Sequence, residues 1–368
     1  MLIELLALTL ASIHFGTPLL YYYHLKRRYL NKPWNIKTDE NYKPKVTIIV
    51  PTYNEAKLIE KKLDNIHEQE YPKDKLEVIV VDSASTDGTP ELVKKWIEKH
   101  ADLNLKLIVE NERKGKAFAL NNALRHATGE IVIMTDVDSL WPSNALSKTL
   151  KWFADQTTGA VSCLKKPIGP KVKEVEENYR HYYNVLRVAE SKAFSTPIFH
   201  GELAAFRRNL LEKIGGFPTD IGADDSHTAT KIALMGYRTI IPENIWVEEL
   251  VPNKGYFSWR IRRAQHLIQH FAKTLKEIRR ASIEFRKILV AETFLHLANP
   301  YLLLASIILL IVGTLATYSL MALGVLVLGV VLLTVKQFRT WIFQQLHLVL
   351  ASIRNLWTKE IAWDKQIK

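Results

Sequence analysis

Two aspartates separated by one residue, Asp136 and Asp138, are the side chains in this sequence that point most directly to chemistry. They follow an apolar run. At an extended strand end, residues two apart project to the same side, so both carboxylates can share one divalent cation. A site of hard oxygen ligands favours Mg²⁺ or Mn²⁺. The alternative is a turn in which one of the aspartates caps a helix that starts near Pro142.

The segments that would position these carboxylates alternate between strand and helix patterns. From 43 to 252, short β-branched runs alternate with stretches of helical periodicity, which predicts an α/β domain with a mostly parallel sheet. The predicted strands are 46–50, 76–81, 105–109 and 131–135, and the predicted helices are 55–67, 89–100 and 116–127. Ligands of open α/β sheets bind beyond the carboxyl ends of the strands, which is where Asp136 and Asp138 fall.

Polar turns follow the first two predicted strands. The first reads Pro-Thr-Tyr-Asn-Glu at 51–55, and the second reads Val-Asp-Ser-Ala-Ser-Thr-Asp-Gly at 81–88. If the two strands are neighbours, these turns place their polar side chains beside each other. Neither strand is followed by Gly-x-Gly-x-x-Gly, so a dinucleotide cofactor is disfavoured.

The order of these motifs resembles the inverting family 2 glycosyltransferases. The likeness is carried by the two turns, by Lys-Gly-Lys-Ala at 114–117 and by Asp-Val-Asp at 136–138, and it extends over residues 44–270. The resemblance implies a Rossmann-like GT-A fold and the transfer of a sugar from a nucleotide-sugar donor. The sequence is similar to cellulose and hyaluronan synthase-like enzymes and to dolichyl-phosphate sugar synthases.

The resemblance implies a donor pocket in which Asp82 accepts a hydrogen bond from the base and Lys116 lies near the base or a phosphate. The donor-binding residues would be Thr52, Tyr53, Glu55, Asp82, Lys116, Asp136 and Arg262. Asp138 would be the principal metal ligand, and Asp136 would touch both nucleoside and metal. The cation would offset charge that develops on the leaving diphosphate. Residues 83–84 depart from the commoner Asp-Asp-Gly-Ser turn, and a UDP-sugar is the expected donor.

Simpler roles are open for several of these residues. Thr52 and Glu55 could form a capping box at a helix N-terminus. Asp82 could be an ordinary turn residue. Lys116 could be a solvated lysine at the start of a helix.

A second set of motifs resembles the acceptor half of the same family. It comprises Phe-His-Gly-Glu at 199–202, Phe-Arg-Arg at 206–208, Gly-Gly-Phe at 215–217 and Gly-Ala-Asp-Asp at 222–225. The resemblance implies that Asp225, with Asp224 beside it, is the catalytic base that takes the proton of an attacking alcohol, a role worth about 10²–10⁴-fold. The alternative is that both only cap a helix. His227 is interpreted as a packed residue, and Glu202 could contact the acceptor or pair with a nearby arginine.

The stretch after the catalytic domain departs from the Gln-x-x-Arg-Trp pattern of processive members. Arg262 matches and can clamp a diphosphate oxygen. Trp259 stands at the glutamine position and Arg263 at the tryptophan position, which leaves the usual stacking surface for the acceptor sugar without its tryptophan. Residues 253–290 are rich in Lys and Arg interleaved with apolar residues, which predicts interfacial helices on an anionic bilayer rather than a nucleic-acid site.

Two apolar runs, 5–25 and 293–335, contain no Asp, Glu, Lys or Arg. The first has the length of one transmembrane helix, although a buried core helix is the alternative, and the second predicts a hairpin that breaks at 313–319. The basic residues that follow each run place the catalytic domain and the tail in the cytoplasm, at the cell membrane. The predicted order is 1–28 transmembrane, 43–252 catalytic, 253–290 interfacial, 291–335 two transmembrane helices and 336–368 a cytoplasmic or interfacial tail.

Composition narrows the class of protein. Lys and Arg number 50 against 38 Asp and Glu, and 24% of residues are charged while 48% are hydrophobic. These values exclude both a disordered chain and a wholly membrane-embedded bundle. A single cysteine, Cys163, excludes an internal disulfide and a cysteine-based zinc site.

Three functions remain open at this point. The first is transfer to a hydroxyl of a lipid-linked glycan or polysaccharide, the second is transfer to a polyprenyl phosphate, and the third is a non-catalytic membrane protein that retains the fold. A phosphate acceptor is already anionic and needs no base. Asp225 in its motif therefore favours the first.

Overall fold

A computed structural model describes residues 2–168, 174–252 and 254–360 of the chain. Its strands are β1 Val46–Thr52, β2 Leu76–Ser83, β3 Asn104–Glu110, β4 Ile131–Met134, β5 Ser139–Leu140, β6 Thr158–Ser162, β7 Leu164–Ile168, β8 Ala204–Arg207, β9 Arg238–Ile240 and β10 Trp246–Leu250. Its helices are α1 Leu2–Leu25, α2 Ile59–His67, α3 Thr89–Lys99, α4 Lys116–Leu124, α5 Ala145–Leu150, α6 Glu174–Ala193, α7 Arg208–Lys213, α8 Asp224–Leu234, α9 Tyr256–Thr274, α10 Ile283–Thr293, α11 Asn299–Ala316, α12 Leu320–Leu332 and α13 Lys336–Arg354.

The central sheet has seven strands in the order β3-β2-β1-β4-β8-β6-β9, and β5, β10 and β7 form a smaller sheet. β1 pairs in parallel with β2 and β4, and β2 pairs in parallel with β3. Every residue of β2 is buried, as expected for a strand in a sheet that helices cover on both faces. The predicted α/β class with a mostly parallel sheet is confirmed.

Helices on the two faces of the sheet enclose two cores, and β1 contributes to both. Ile48 and Val50 pack into one core with residues of α2 and α3. Ile49 packs into the other with residues of α4 and α8. This division follows from the alternation of side chains along a strand.

Most predicted boundaries differ from the structure by one to four residues, and three of these differences lie near the site. The first helix begins at Ile59 rather than 55, because the residues before it are held in a turn that side chains of the next turn support. α4 ends at Leu124 rather than 127. β4 ends at Met134, so Asp136 and Asp138 lie in a turn between β4 and β5 and not on an extended strand.

The basic stretch after the catalytic domain folds as α9 and α10. α9 packs against α13 and α8, and it buries Trp259, Ile268 and Phe271. α13 has a buried face against α9 and exposes Phe343 and Leu346 on its other side. This two-sided pattern is that of an amphipathic helix.

Two helical stretches, Leu2–Leu30 and Ile283–Ala316, are long and apolar enough to cross a membrane. The second begins ten residues before the apolar run because α10 continues into α11. The run then breaks after Ala316, within the predicted 313–319. α12 has 13 residues and is bent by 104° from α13, and these two helices have the length and composition of a third span only as a pair.

Candidate active site

The two polar turns lie side by side at the carboxyl edge of the sheet. Thr52 at the end of β1 pairs in register with Asp82 at the end of β2. The Asn54 backbone N–H donates to Ser85 Oγ at 2.7 Å and so joins one turn to the other. The sheet therefore brings together residues that the sequence places 30 positions apart, as predicted.

Asp82 is fully buried at the base of this pair of turns. Its Oδ2 accepts a hydrogen bond from the Ser85 N–H at 3.0 Å, whereas its Oδ1 has no hydrogen-bond partner among the described residues. Burial raises the pKa of this carboxyl above its ordinary value, although Ser85 opposes the shift. A buried acceptor atom without a partner suits a ligand N–H, such as that of a nucleobase.

Thr52 and Glu55 do not form a capping box. α2 begins at Ile59, its N-cap residue is Leu58, and no side chain caps it. The Thr52 hydroxyl instead donates to the Val81 carbonyl at 3.3 Å.

Tyr53 lies beneath a charged neighbour in the same region. The Arg113 guanidinium is 3.9 Å from the centre of the Tyr53 ring. The pair forms a flat wall at the edge of the donor turns, and such a surface can pack against a base or carry a phosphate.

The turn that carries Asp136 and Asp138 is anchored from inside. Val137 is buried between the two aspartates, which are both partly exposed. The Ser139 hydroxyl donates to the Asp136 carbonyl at 2.8 Å. The helix that follows is capped at Asn144, and the alternative in which an aspartate caps it is therefore wrong.

Lys116 is the first residue of α4 and joins the donor side to the acceptor side. Its Nζ lies 2.6 Å from Asp136 Oδ1 and 3.6 Å from Asp224 Oδ2. Burial lowers the pKa of Lys116, but attraction to these two carboxylates outweighs burial and leaves the pKa above its usual range. The solvated lysine considered from the sequence is excluded, because the side chain is only 16% exposed.

Asp224 and Asp225 open α8, as predicted. Burial raises the pKa of Asp224 to about 6, with Lys116 opposing the shift and Asp225 adding to it. Asp225 Oδ1 accepts hydrogen bonds from the backbone and the hydroxyl of Ser226. A Cβ on Gly201 would lie 3.0 Å from Lys116 Nζ and 3.5 Å from Asp225 Oδ2, so this glycine leaves room for the charged groups.

A cavity of about 190 Å³ extends from these charged groups towards the membrane-proximal helices. One end is lined by Lys116, Asp136, Asp224 and Asp225. The other end reaches His296 and the α13 residues Gln344 and Leu348, and the wall between includes Tyr179, Tyr183, Trp259, Arg262 and Glu202. Of the predicted donor residues, Lys116, Asp136 and Arg262 line this cavity together with Asp224 and Asp225. Its lining does not include the other predicted site residues, which are Thr52, Tyr53, Glu55, Asp82 and Asp138.

Buried ion pairs line the middle of the cavity. Lys165 Nζ lies 2.5 Å from Glu202 and 3.2 Å from Glu249, and Arg180 and Arg263 also contact Glu249. Burial raises the pKa of Glu202 to about 7 although Lys165 opposes this, whereas the three cations hold the pKa of Glu249 well below its usual range despite burial. Glu202 pairs with a lysine, and not with the arginine considered from the sequence.

α9 brings its own residues to the cavity. Trp259 is 2% exposed and lines it, with the Arg263 guanidinium 4.7 Å from its ring centre. Arg262 lies in the same lining as Asp136, and burial and the neighbouring Arg263 lower its pKa to about 10. Arg262 is therefore placed where a donor diphosphate could reach it.

The close approach of α9 to the base depends on a glycine. A Cβ on Gly222 would lie 2.1 Å from Nε2 of His266 on α9. No side chain larger than hydrogen fits between the Asp224–Asp225 turn and this ring.

His227 is buried inside α8 and faces α9. Its Nδ1 lies 3.4 Å from Nδ1 of His270, and burial lowers its pKa to about 4. Within the described ranges, no three His, Cys, Asp or Glu side chains are arranged to hold a metal. His227 is therefore a packed residue, as interpreted from the sequence.

The donor side fits a divalent cation of one particular kind. Asp136 and Asp138 offer two carboxylates in one turn, and Mg²⁺ is commonly held by one or two carboxylates together with substrate phosphates. These residues do not provide a cage made wholly of protein ligands. They suit a cation that a donor diphosphate also coordinates.

Three features of the site were not anticipated from the sequence. They are Arg113 over Tyr53, the tyrosines of α6 in the cavity wall, and the Lys165 ion pairs. Arg113 lies two residues before Gly-Lys-Ala at 115–117, so its closeness to that motif could have placed it in the site from the sequence alone. The others depend on contacts between distant segments.

The central sheet with a polar site at its carboxyl edge is that of a ligand-binding α/β domain, and comparison with known proteins defines its class. Residues 47–215 match the family described as Glycosyl transferase family 2. The chain is 57% identical to the mannosyltransferase PcManGT from Pyrobaculum calidifontis, solved in complex with GDP-Man and Mn²⁺, with a TM-score of 0.90 over 97% of this chain and 100% of that one. The chain belongs to the family 2 glycosyltransferases and is an enzyme with the GT-A fold.

More distant relatives share the same catalytic region. A probable glycosyltransferase, YdaM of Bacillus subtilis, is 28% identical over 277 residues, which is 70% of this chain and 65% of that protein. A poly-β-1,6-N-acetyl-D-glucosamine synthase of Staphylococcus epidermidis is 24% identical over 277 residues, 72% of this chain and 66% of that one. The chain thus spans just under two thirds of the length of these relatives. A structure of S. aureus TarS residues 1–349, with 20% identity and a TM-score of 0.51 over 84% of this chain and 91% of that one, shares the fold.

Proposed function

We propose that this enzyme transfers a sugar, with inversion, from a nucleotide sugar to a hydroxyl of a lipid-linked glycan or polysaccharide at the cytoplasmic face of the cell membrane. The observation that carries the proposal is the cavity that runs from Asp225 to His296 and Leu348, on helices next to or within the candidate membrane segments. A lipid-linked acceptor would approach along that direction.

GDP-mannose is the donor we propose, in place of the UDP-sugar expected from the sequence. The reason is the relative of 57% identity, a mannosyltransferase solved with GDP-Man. Asp82 Oδ1 suits a base N–H, which both guanine and uracil offer. Thr52, Tyr53, Glu55, Lys116 and Arg262 would complete the donor pocket.

A divalent cation belongs to the proposal, with Mn²⁺ or Mg²⁺ as candidates. Asp138 and Asp136 would hold it together with the donor diphosphate. When bound, it would supply Lewis-acid stabilisation of the leaving group. The same relative was solved with Mn²⁺, which supports the assignment.

Asp225 supplies the base in this mechanism. Its carboxylate takes the proton of the acceptor hydroxyl as that oxygen attacks the anomeric carbon from the side opposite the diphosphate. The bond from the anomeric carbon to the diphosphate oxygen breaks, and the nucleoside diphosphate leaves. Asp224 and Lys116 set the local charge, and Arg262 is placed to hold a diphosphate oxygen.

Transfer to a polyprenyl phosphate is the second candidate. The basic residues of α9, Arg262 and Arg263, favour it, because they lie in the cavity wall where a phosphate could bind. Asp225 favours the hydroxyl acceptor, because a phosphate nucleophile gives up no proton.

The membrane arrangement is proposed as three spans with the catalytic domain and the tail in the cytoplasm. Cysteines placed at Lys94 on α3 and at Lys359 should both resist an impermeant thiol reagent in intact cells. The native Cys163 is fully buried and will not interfere. Labelling of either site before lysis would contradict the arrangement.

The function is tested by incubating the purified enzyme with radiolabelled GDP-mannose, UDP-glucose and UDP-N-acetylglucosamine, with membrane lipids, in Mn²⁺ or in excess chelator. We expect incorporation into lipid-extractable product from GDP-mannose, and loss of it with chelator. Incorporation from a UDP-sugar alone would refute the donor, and full activity in chelator would refute the metal.

A further inference from the structure

The backbone of Glu202 is held in place by donors from the metal-binding turn. Its carbonyl oxygen accepts hydrogen bonds from Thr135 Oγ1 at 2.8 Å and Trp141 Nε1 at 2.9 Å. These donors flank Asp136 and Asp138 in the sequence. The position of Glu202 is therefore fixed relative to the donor site before any ligand binds.

One oxygen of the Glu202 side chain has no hydrogen-bond partner among the described residues. Oε1 pairs with Lys165 Nζ at 2.5 Å, which fixes the orientation of the carboxyl group. Oε2 is that oxygen, and it is buried. Glu202 is 6% exposed and lines the cavity. A buried polar atom in this state is completed by a ligand or by water.

Glu202 and the proposed base, Asp225, line the same cavity. Glu202 follows Gly201 directly, and a Cβ on Gly201 would lie 3.5 Å from Asp225 Oδ2. Glu202 and Asp225 therefore line one short segment of the cavity wall.

The charges nearby favour a neutral ligand. Four basic side chains line this part of the cavity, and each has a carboxylate partner: Lys165, Arg180, Arg260 and Arg263 pair with Glu176, Glu202 or Glu249. A phosphate at this point would compete with these carboxylates and would face Glu202 itself.

We propose that Glu202 Oε2 hydrogen-bonds a hydroxyl of the acceptor sugar, adjacent to the hydroxyl that Asp225 deprotonates, and so sets which acceptor is used. The inference rests on the proposed function and specifies its acceptor side. A hydroxyl both donates and accepts, so it can pair with this carboxyl group in either protonation state.

The experiment uses the full-length enzyme in detergent with GDP-mannose and octyl glycosides of mannose, glucose and N-acetylglucosamine. The best of these is then compared with its monodeoxy forms. Glu202→Met keeps the length of the side chain and removes both oxygens, and Glu202→Gln keeps polar atoms and the contact with Lys165. Glu77→Gln is the matched control, because Glu77 is a buried carboxylate paired with Lys106 outside the cavity lining.

In the wild type, one deoxy position should raise the acceptor KM by about 10-fold to 100-fold, the usual effect of losing a hydrogen bond to a charged group. Glu202→Met should raise the KM of the parent glycoside by a similar factor. In this variant the deoxy form should have no higher KM than the parent, so the deoxy penalty, which is the ratio of the two KM values, should disappear. The KM of the parent glycoside should stay within about threefold of wild type in Glu202→Gln and Glu77→Gln. The Kd of GDP-mannose should not change in any variant, and hydrolysis of GDP-mannose by water should not change in Glu77→Gln.

Two results would overturn the assignment. One is an undiminished deoxy penalty in Glu202→Met, which means that the residue only neutralises Lys165. The other is a wild-type enzyme that binds GDP-mannose but transfers to none of the glycosides. Failure of the wild type to bind or hydrolyse GDP-mannose at all would instead contradict the proposed donor. Should Glu202→Met not fold, an equal deoxy penalty in wild type and Glu202→Asp would refute the role, since the shorter side chain withdraws Oε2.

Discussion

The donor side and the acceptor side of this site are built in different ways. The proposed donor side consists of turns at the ends of neighbouring strands, held by hydrogen bonds from backbone N–H groups to short polar side chains. The Asn54 N–H donates to Ser85 Oγ, and the Thr86 N–H donates to Asn54 Oδ1. The acceptor side consists of buried ion pairs between segments as far apart as Arg180 and Glu249, at the junction of the catalytic domain with α6, α9 and α13.

The two sides differ in what limits the substitution of their residues. Donor residues sit on a sheet whose register fixes them, and little freedom remains there. The ion-paired residues of the proposed acceptor side stand on helices, on strands β7 and β10 and in a turn. Their charges must all be matched, because breaking a buried pair typically costs about 3–5 kcal/mol. The acceptor side can therefore vary between relatives only by changing partners together.

The largest expected effect is the loss of turnover when the proposed base, Asp225, is replaced. Asp225→Asn keeps the size of the side chain and removes the proton acceptor, so transfer should fall by about 10²–10⁴-fold while the Kd of GDP-mannose is unchanged. Asp220→Asn, on the same loop and exposed, serves as the control. Near-normal turnover would move the acceptor to a polyprenyl phosphate, which needs no base.

On the proposed donor side, we expect a substitution to weaken cation binding as well as turnover. Asp138→Asn removes a proposed cation ligand, so Mn²⁺ affinity measured by electron paramagnetic resonance should weaken and turnover should fall by about 100-fold or more, because Lewis-acid stabilisation is worth several kcal/mol. The exposed Asp102→Asn is the control. Unchanged Mn²⁺ titration would remove Asp138 from the metal site.

A smaller effect is expected where the two sides meet. Gly222→Ala places a methyl group against the His266 ring, so α9 must shift away from the base. Turnover should fall by roughly 10-fold to 100-fold, as displacements of about 1 Å can cause, and the thermal midpoint should drop. Gly16→Ala in α1, where nothing lies within 4 Å, should change neither. A wild-type turnover in Gly222→Ala would mean that α9 does not position the acceptor.

The smallest effect concerns support beneath the metal-binding turn. Lys62 is fully buried, donates to the Ser139 carbonyl at 2.8 Å, and has its pKa lowered by burial to about 7 although Asp136 opposes this. The unfolded chain binds this proton up to about pH 10.5. Between about pH 7 and 10.5 the unfolded state thus holds more protons, and stability should rise with pH.

Lys62→Met isolates that contribution. The thermal midpoint of the wild type relative to Lys62→Met should increase from pH 7 to pH 9. Parallel changes of the two midpoints with pH would contradict a neutral buried lysine.

The sequence predicted the two sides unequally for a physical reason. The strands at 46–50 and 76–81 and the turns after them follow from local periodicity and turn chemistry, and parallel pairing then fixes where Thr52 and Asp82 lie. Lys116 could be assigned to the site, but not its second contact with Asp224, because that contact joins α4 to α8. The Lys165 pairs depend on strand β7, helix α6 and strand β10 meeting in space, which no local pattern encodes.

The boundary errors have a similar origin. Helical periodicity extended the first helix back to 55, but Ala56 N–H donates to Asp87 Oδ2 at 3.0 Å and holds the chain in a turn. A side chain 31 residues away decided that local conformation. Helix propensity could not anticipate it.

Lys116 has a consequence for the order of events. Its ammonium group is shared between Asp136 on the donor side and Asp224 on the acceptor side. A cation held by Asp136 would compete for that carboxylate and strengthen the hold of Lys116 on Asp224. Since coupling between two binding sites is reciprocal, an acceptor bound beside Asp224 would change the affinity for donor and metal by the same factor. Through this one lysine, binding at either substrate site would change the affinity of the other site.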